Sequence, residues 1–275
     1  VSAPPWVTFL SDYGLEDEFV GVCHGVIARR CGQARVIDIT HAIPRHNVRA
    51  GAWALCGALA YMPRGVHLAI VDPEVGTQEV GGRRAVALAT ADEEQRLVGP
   101  DNGLLMAAAE LLGGVVEAVD IGRSEERLEP VSATFHGRDI FAPVAAALAA
   151  GRPLAALGEP LAVDELHTLS LTSATVRDGA LRAHVRHVDR FGNLTLDATH
   201  AQLGQLGLRL GQRVAVHGAG ATHSARYART FAEVPAGALL LYEDSRRLAA
   251  LAVNRGSAAQ TLGLERDGEL RLRAE

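Results

Sequence analysis

Lysine is absent from this chain of 275 residues, and all 27 of its basic residues are arginine. Schiff-base chemistry on a lysine amine and the lysine of a phosphate-gripping P-loop are therefore both excluded. Cysteine is scarce: Cys23, Cys31 and Cys56 fit neither a C-x-x-C pair nor a zinc pattern, so buried reduced thiols are expected. Eleven histidines include no H-E-x-x-H and no second clustered ligand set, so neither a catalytic metal nor a cofactor is expected. No apolar run reaches the roughly 20 residues that cross a bilayer, and the first residues lack the basic segment and apolar core of a secretion signal. A cytoplasmic protein without a membrane partner is the expectation. The formal net charge of −5 argues against a general affinity for nucleic acid.

What is present is apolar and patterned, with 48% hydrophobic residues, enough for a substantial core. The first half alternates strand-like runs (6–10, 35–40, 66–71, 84–89, 96–99, 115–121) with helical stretches (about 16–30, 47–61, 102–112 and 138–150). In the first helix Phe19, Cys23 and Ile27 recur every four residues and form one apolar face. Such alternation predicts an α/β N-terminal domain, with a largely parallel central sheet flanked by helices, over residues 1–153. The glycine- and proline-containing stretch 154–166 reads as a linker. Beyond it, short runs at 167–172, 181–188, 193–196, 213–217, 238–243, 248–253 and 269–272 predict a smaller all-β domain over 167–275, an antiparallel barrel or sandwich.

Three strand-like runs lead into acidic or histidine residues, and turns at strand ends are where α/β proteins bind ligands. Asp12, in Ser11-Asp12-Tyr13-Gly14, is placed either to cap the following helix or to accept both hydroxyls of a ribose diol. Asp72 opens an Asp-Pro turn, and Arg83 or Arg84 is available to pair with it. His136, in Phe135-His136-Gly137-Arg138-Asp139, enters an apolar helix, where a neutral imidazole accepts a proton or orients water. In the second half Asp189-Arg190-Phe191-Gly192-Asn193 joins two strands. It reads as a plain hairpin, or as Asp189 against an ammonium group and Asn193 against a base edge. Asp244-Ser245-Arg246 and Leu251 to Ser257 read as carboxylate and purine sites or as solvated turns.

Taken in order, Phe9 to Gly14, Ile39-Thr40-His41, Val71 to Thr77, Val98 to Gly103, Phe135 to Asp139, Asp189 to Asn193 and Leu251 to Asn254 resemble the S-adenosyl-L-methionine (SAM) hydroxide adenosyltransferases. These SAM hydrolases are related to the fluorinase and chlorinase enzymes. The resemblance runs from about residue 6 to 264. It implies conversion of SAM and water to adenosine and methionine. It also implies a homotrimer whose active sites lie between the N-terminal domain of one subunit and the C-terminal domain of the next.

Position by position, the resemblance implies that Asp12 holds the ribose hydroxyls, Asp189 the methionine amine and Asn193 the adenine edge. Ser245 and Arg246 fall where the methionine carboxylate is held, and Val253 where adenine meets backbone. Phe135 and His46 line the sugar and the methionine chain. The hydrolytic trio is matched by Asp72, Arg83 and His136, whereas halogenating relatives have tyrosine at position 72 and Tyr-Ser at 136–137. The loop through Gln78 to Gly82 is longer than usual, which leaves Arg83 and Arg84 both eligible. Other readings are a halogenating adenosyltransferase, a non-catalytic SAM or adenosine sensor and, more distantly, a metal-dependent hydrolase.

Overall fold

The structure, a computed structural model, describes residues 4–77, 82–92, 94–170 and 173–275. The chain divides into two compact units, Val1–Leu169 and Ser170–Glu275. In the first, β1 (Trp6–Ser11), α1 (Phe19–Arg30), β2 (Arg35–Thr40), α2 (Val48–Leu59) and β3 (Val66–Ile70) alternate as expected. They are followed by β4 (Ala85–Thr90), β5 (Arg96–Pro100), α3 (Met106–Leu111), β6 (Val115–Asp120), α4 (Ala142–Ala149) and β7 (Glu159–Leu161). Seven strands form one sheet in the order β2-β1-β3-β5-β4-β6-β7. Pairing is parallel from β2 through β5 and antiparallel from there on, so β4 and β7 alone run against the rest.

Each face of the sheet buries its own core. On one side Val7 and Phe9 of β1 meet Val20, Cys23 and Ile27 of α1 and Val144, Ala145 and Leu148 of α4. On the other, Leu10 and Ala69 meet Leu55 and Leu59 of α2 and Ala108 of α3. Strands buried on both sides read as continuous apolar runs because helices cover both faces. All three cysteines are free thiols, and burial pushes that of Cys23 up to about 12. Among the described residues no helix is long and apolar enough to cross a membrane.

Three boundaries differ from expectation, one of them that of α3, which starts at Met106 rather than near 102. The first helix starts at Phe19 rather than near Glu16, because residues 15–18 are exposed and offer nothing to bury before Phe19 and Val20. The stretch 154–166 contains two short 3₁₀ turns and strand β7, which pairs with β6. Leu154 and Leu157 are buried in the first core, so this segment packs as part of the α/β unit.

The second unit contains β8 (Thr175–Arg177), β9 (Ala180–Val188), β10 (Leu194–Thr199), α5 (His200–Gln205), β11 (Arg213–Gly218) and β12 (Ala221–Tyr227). Then come β13 (Leu239–Glu243), β14 (Leu248–Val253), α6 (Ala258–Leu262) and β15 (Glu269–Ala274). The order β10-β14-β13-β12-β11-β15-β9 closes on itself through the β9–β10 pair, making a seven-strand barrel with β8 added beside β9. Its interior is filled at alternate positions, by Leu181, Ala183 and Val185 of β9 and by Leu270 and Leu272 of β15. One pairing departs from the expected antiparallel pattern, since β12 and β13 run parallel. Strand β12 escapes a hydrophobicity-based reading because only Ala225 and Tyr227 of its seven residues are buried. The run read as a strand over 167–172 is not one at 167–170, and residues 171 and 172 lie outside the described ones.

His67 lies at the centre of the sheet with no exposed surface, its Nδ1 2.9 Å from Thr8 Oγ1 and its Nε2 2.6 Å from Gln95 Oε1. Gln95 Oε1 only accepts, so Nε2 carries the proton and Nδ1 accepts from the threonine hydroxyl. Burial lowers the pKa of His67. His187 of the barrel is lowered by burial and then by Arg266 and Arg246. Both stay neutral in the fold but take up a proton in the unfolded chain below about pH 6.5. Their contribution is intact above that pH and is lost as pH falls toward their lowered folded-state values. The urea midpoint is expected to drop between about pH 7 and about pH 5, and a His67→Gln variant to show a flatter dependence.

Candidate active site

In the strand order β2-β1-β3, the chain leaves β1 toward one side for β2 and crosses back to β3 on the other. The crevice outside the carboxyl ends of β1 and β3 is thus a topological switch point, the place where open α/β sheets bind ligands. Asp12 follows β1 directly, and Asp72 stands two residues after β3. Because β4 runs antiparallel, its entry is at the same edge and brings Arg83 there. The side-chain amide of Asn102 donates to the Val71 carbonyl at 2.8 Å and ties the end of β5 to the turn that carries Asp72.

The structure joins Asp72, Arg83 and His136 in one network. Arg83 Nε donates to Asp72 Oδ1 at 2.9 Å, and its Nη2 donates both to Asp72 Oδ2 and, at 3.0 Å, to His136 Nδ1. The Arg83 and Asp72 side chains are 1% and 7% exposed, so the pair is held in a largely dry setting. The guanidinium also stacks over Phe141, 5.2 Å from the ring centre. Arg83 Nη1 is buried and has no hydrogen-bond partner among the described residues. Arg84 points elsewhere, to Asp101 and Glu165, so the geometry distinguishes the two arginines. Residues 78–81 of the long loop before them lie outside the described residues.

A guanidinium only donates, so His136 Nδ1 accepts and a neutral ring carries its proton on Nε2. Burial, and then the adjacent Arg83, lower the pKa of His136, outweighing the opposing pull of Asp72 and Asp139. The imidazole is therefore neutral near neutral pH. Its position is set by a π-helical turn, Gly137–Phe141, that leads into α4. Arg138 and Ser132 hold Asp139 there by hydrogen bonds of 2.6 to 2.9 Å. Burial works against the Asp139 anion, but these contacts outweigh it and keep its pKa below the usual range. A π-turn inside a helix is a frequent companion of functional sites.

Tyr13, which the sequence reading passed over, belongs to the same group. Burial raises its phenol well above the usual range, and the neighbouring Cys23, Asp72 and Asp12 charges add to that effect. A Cβ on Gly137 would overlap the Tyr13 hydroxyl, so the tyrosine occupies the space a side chain at 137 requires. Tyr13, Phe19 and Phe135 make an aromatic cluster with ring centres 5.0 to 5.9 Å apart, and Arg138 stacks over Phe135 at 5.2 Å. The signal for Tyr13 was its place immediately after Asp12. Phe19 reads from the sequence only as part of a helix face.

Asp12 is not a helix cap, since α1 starts seven residues later. Its Oδ2 accepts the backbone N–H of His46 at 2.9 Å, which brings two of the expected residues together. His46 is in the left-handed region (φ 63°), and Asn47 next to it caps α2 through Ala50 N–H.

The barrel unit gathers the other expected residues. Asp189 closes the β9–β10 turn, with Oδ1 accepting the N–H groups of Phe191 and Asn193 and Oδ2 the Asn193 side-chain amide at 2.8 Å. The hairpin reading of this motif is thus realised in full. Asp244 organises the β13–β14 turn that carries exposed Ser245 and Arg246, and it accepts from Thr195 of β10. Charges of Arg246, Asp189 and Asp244 all act on His187, so these turns share one end of the barrel. Val253 is buried at the end of β14.

Fold and site together define a two-domain protein, an α/β unit with a buried carboxylate–guanidinium–imidazole network at its switch point and a β-barrel unit with polar turns at one end. Residues 7–158 match the family model of the SAM hydroxide adenosyltransferase N-terminal domain and residues 183–271 that of its C-terminal domain, so the chain belongs to this family. A protein named (R)-S-adenosyl-L-methionine hydrolase from Salinispora arenicola is 47% identical over 279 residues, covering 100% of both chains. One of the same name from Thermus thermophilus is 42% identical, covering 97% of this chain and 98% of its own. The crystal structure of an uncharacterized conserved protein from Thermotoga maritima has a TM-score of 0.89 at 35% identity, over 97% of this chain and 99% of that one.

Because Tyr13 fills the space beside residue 137, Gly137→Ala is expected to destabilise the fold by about 1–3 kcal/mol, the range for overpacking. Adding Tyr13→Phe, which removes the overlapping hydroxyl, is expected to restore part of that loss in denaturation experiments on the single and double variants.

Proposed function

We propose that this chain hydrolyses SAM to adenosine and L-methionine, and that the sulfonium epimer it takes is the R form named for its relatives. The observation that carries the reading is the buried contact network of Asp72, Arg83 and His136. In the proposed reaction a water molecule attacks ribose C5′ in line with the departing sulfur. The new C–O bond forms as the C–S bond breaks, the electron pair leaves on a neutral thioether, and one water proton is released. Sulfur needs no protonation to depart.

The geometry supports a division of labour. The one lone pair of neutral His136 is engaged by Arg83, so the ring is not free to act as base. Asp72 spends two acceptor sites on Arg83 and keeps two, which suit it to receive a hydrogen bond from the attacking water. A weak base suffices at this position. Once oxygen bonds to carbon it becomes an oxonium, which surrenders its proton readily. Arg83, kept in register by Asp72 and His136, offers Nη1 to the lone pair that the water does not use in attack and so fixes its orientation.

Substrate contacts complete the proposal. Asp12 holds the ribose diol, with Phe135 and His46 beside the sugar and the methionine chain. Asp189 meets the amine, Asn193 the adenine edge, Ser245 and Arg246 the carboxylate, and the Val253 backbone adenine. The protein is further proposed to be a homotrimer, which light scattering checks.

Incubation with each SAM epimer, quenched and resolved by chromatography, is expected to yield adenosine and methionine in equal amounts from the R epimer and little of either from the S epimer. Addition of chloride or fluoride is expected to give no 5′-halo nucleoside. Tight SAM binding with no product over hours would instead establish a sensor. Asp72→Ala is expected to lower turnover by roughly 10²–10⁴-fold with a much smaller change in SAM affinity. His136→Ala is expected to act in the same direction by releasing Arg83, and Asp12→Ala to weaken nucleoside binding as well. Unchanged turnover in the Asp72 variant removes it from the mechanism.

A further inference from the structure

A second polar cluster lies on the α/β unit and is used by nothing described so far. His24 of α1, Asp38 of β2 and His41 just beyond β2 bring one ligand atom each within 4.8 Å of one another. His24 Nε2 is 2.8 Å, and His41 Nε2 3.1 Å, from the same oxygen, Asp38 Oδ1. Ligands held at about 2.0–2.1 Å around a tetrahedral ion stand about 3.4 Å apart, so these separations are close to those of a coordinated set.

His41 supplies an independent observation. Its side chain is 2% exposed, and its Nε2 is buried without a hydrogen-bond partner among the described residues, although it faces Asp38. The carboxylate oxygen is near enough to bond but lies out of line. Its other nitrogen, Nδ1, is 2.8 Å from Ser11 Oγ. When Nδ1–H donates to Ser11, the Nε2 lone pair faces an anionic oxygen. A cation between the two turns that repulsion into a pair of bonds. A ligand histidine with its second nitrogen anchored by a hydrogen bond is the usual arrangement around protein-bound metals.

We propose that His24 Nε2, His41 Nε2 and Asp38 Oδ1 bind a divalent transition-metal ion of the zinc type. Two imidazoles and one carboxylate suit zinc, cobalt or nickel, not the oxygen-preferring magnesium and calcium. Three protein ligands leave a position for water, and the partial exposure of His24 and Asp38 gives the ion a way in. Its consequence is mechanical. The His41 carbonyl accepts Gly14 N–H at 2.8 Å, and Ser11 Oγ accepts Tyr13 N–H at 3.2 Å. An ion fixing His41 therefore braces the loop that carries Asp12, without touching the Asp72 network.

The test uses tag-free full-length protein, stripped with chelator, dialysed and titrated with zinc by calorimetry and with cobalt(II) by visible absorption. One equivalent per chain is expected, with the absorption of a nitrogen- and oxygen-ligated cobalt ion. Affinity is expected to fall by about tenfold or more in His24→Asn and, separately, in Asp38→Asn. Zinc is expected to raise the melting temperature of the parent protein and not that of the variants. His24 is partly exposed, so its variant is expected to fold, and circular dichroism checks this. If it does not, Asp38→Asn and the cobalt spectrum of the parent still decide. Failure of the parent to bind one equivalent, or variants that bind zinc as tightly as the parent, overturns the proposal and leaves the trio an ion-pair cluster.

Discussion

The buried contact between Arg83 and Asp72 is the constraint on which the rest of the α/β site depends. Taking a guanidinium and a carboxylate out of water is costly, and the mutual attraction repays it only with good geometry. Here the two-point fork supplies that geometry, and stacking on Phe141 covers the guanidinium face. Once Arg83 is held, much of the surroundings follows. The imidazole of His136 must accept, its tautomer is decided, and a proton on Nδ1 is disfavoured because the ring would then confront a fixed cation. The ion pair thus adds to burial in keeping neutral a residue four elements further along the chain.

That pair exists only because the topology brings its members to one edge. Asp72 comes from the end of a parallel strand, Arg83 from the start of an antiparallel one, and His136 from the first turn of a helix packed against α1. Because β4 runs antiparallel, it begins at the carboxyl edge of the sheet where β3 ends. A purely parallel continuation would place the entry to β4, and Arg83 with it, at the opposite edge.

Much of this was legible beforehand. Fully buried strands read as apolar runs, and the residues just past them, Asp12 and Asp72, stood out as charges at the ends of such runs. What stayed hidden depended on contacts distant in sequence. Arg83 and Arg84 are adjacent and chemically identical, and only the positions of Asp72, Asp101 and Glu165 separate them. Strand β12 carries too few inward apolar residues to announce itself, and β7 is a three-residue edge added by pairing alone. Tyr13 and Gly137 look unrelated at a separation of over a hundred residues, yet each determines the space left for the other.

In the proposed reaction these features also bear on which nucleophile is admitted. The cation of Arg83 is already matched by Asp72, so a halide entering beside them would add an unbalanced anion to a poorly hydrated pocket and meet the carboxylate as a like charge. Water carries no charge and can donate to that carboxylate. As it attacks a sulfonium, the positive charge passes from sulfur to the attacking oxygen, beside the acceptor sites that Asp72 keeps outside its fork with Arg83. Space argues in the same direction. With the Tyr13 hydroxyl against Gly137, a serine at 137 has no room to offer its own hydroxyl to a halide, so the steric and the electrostatic demands of the site select the same nucleophile.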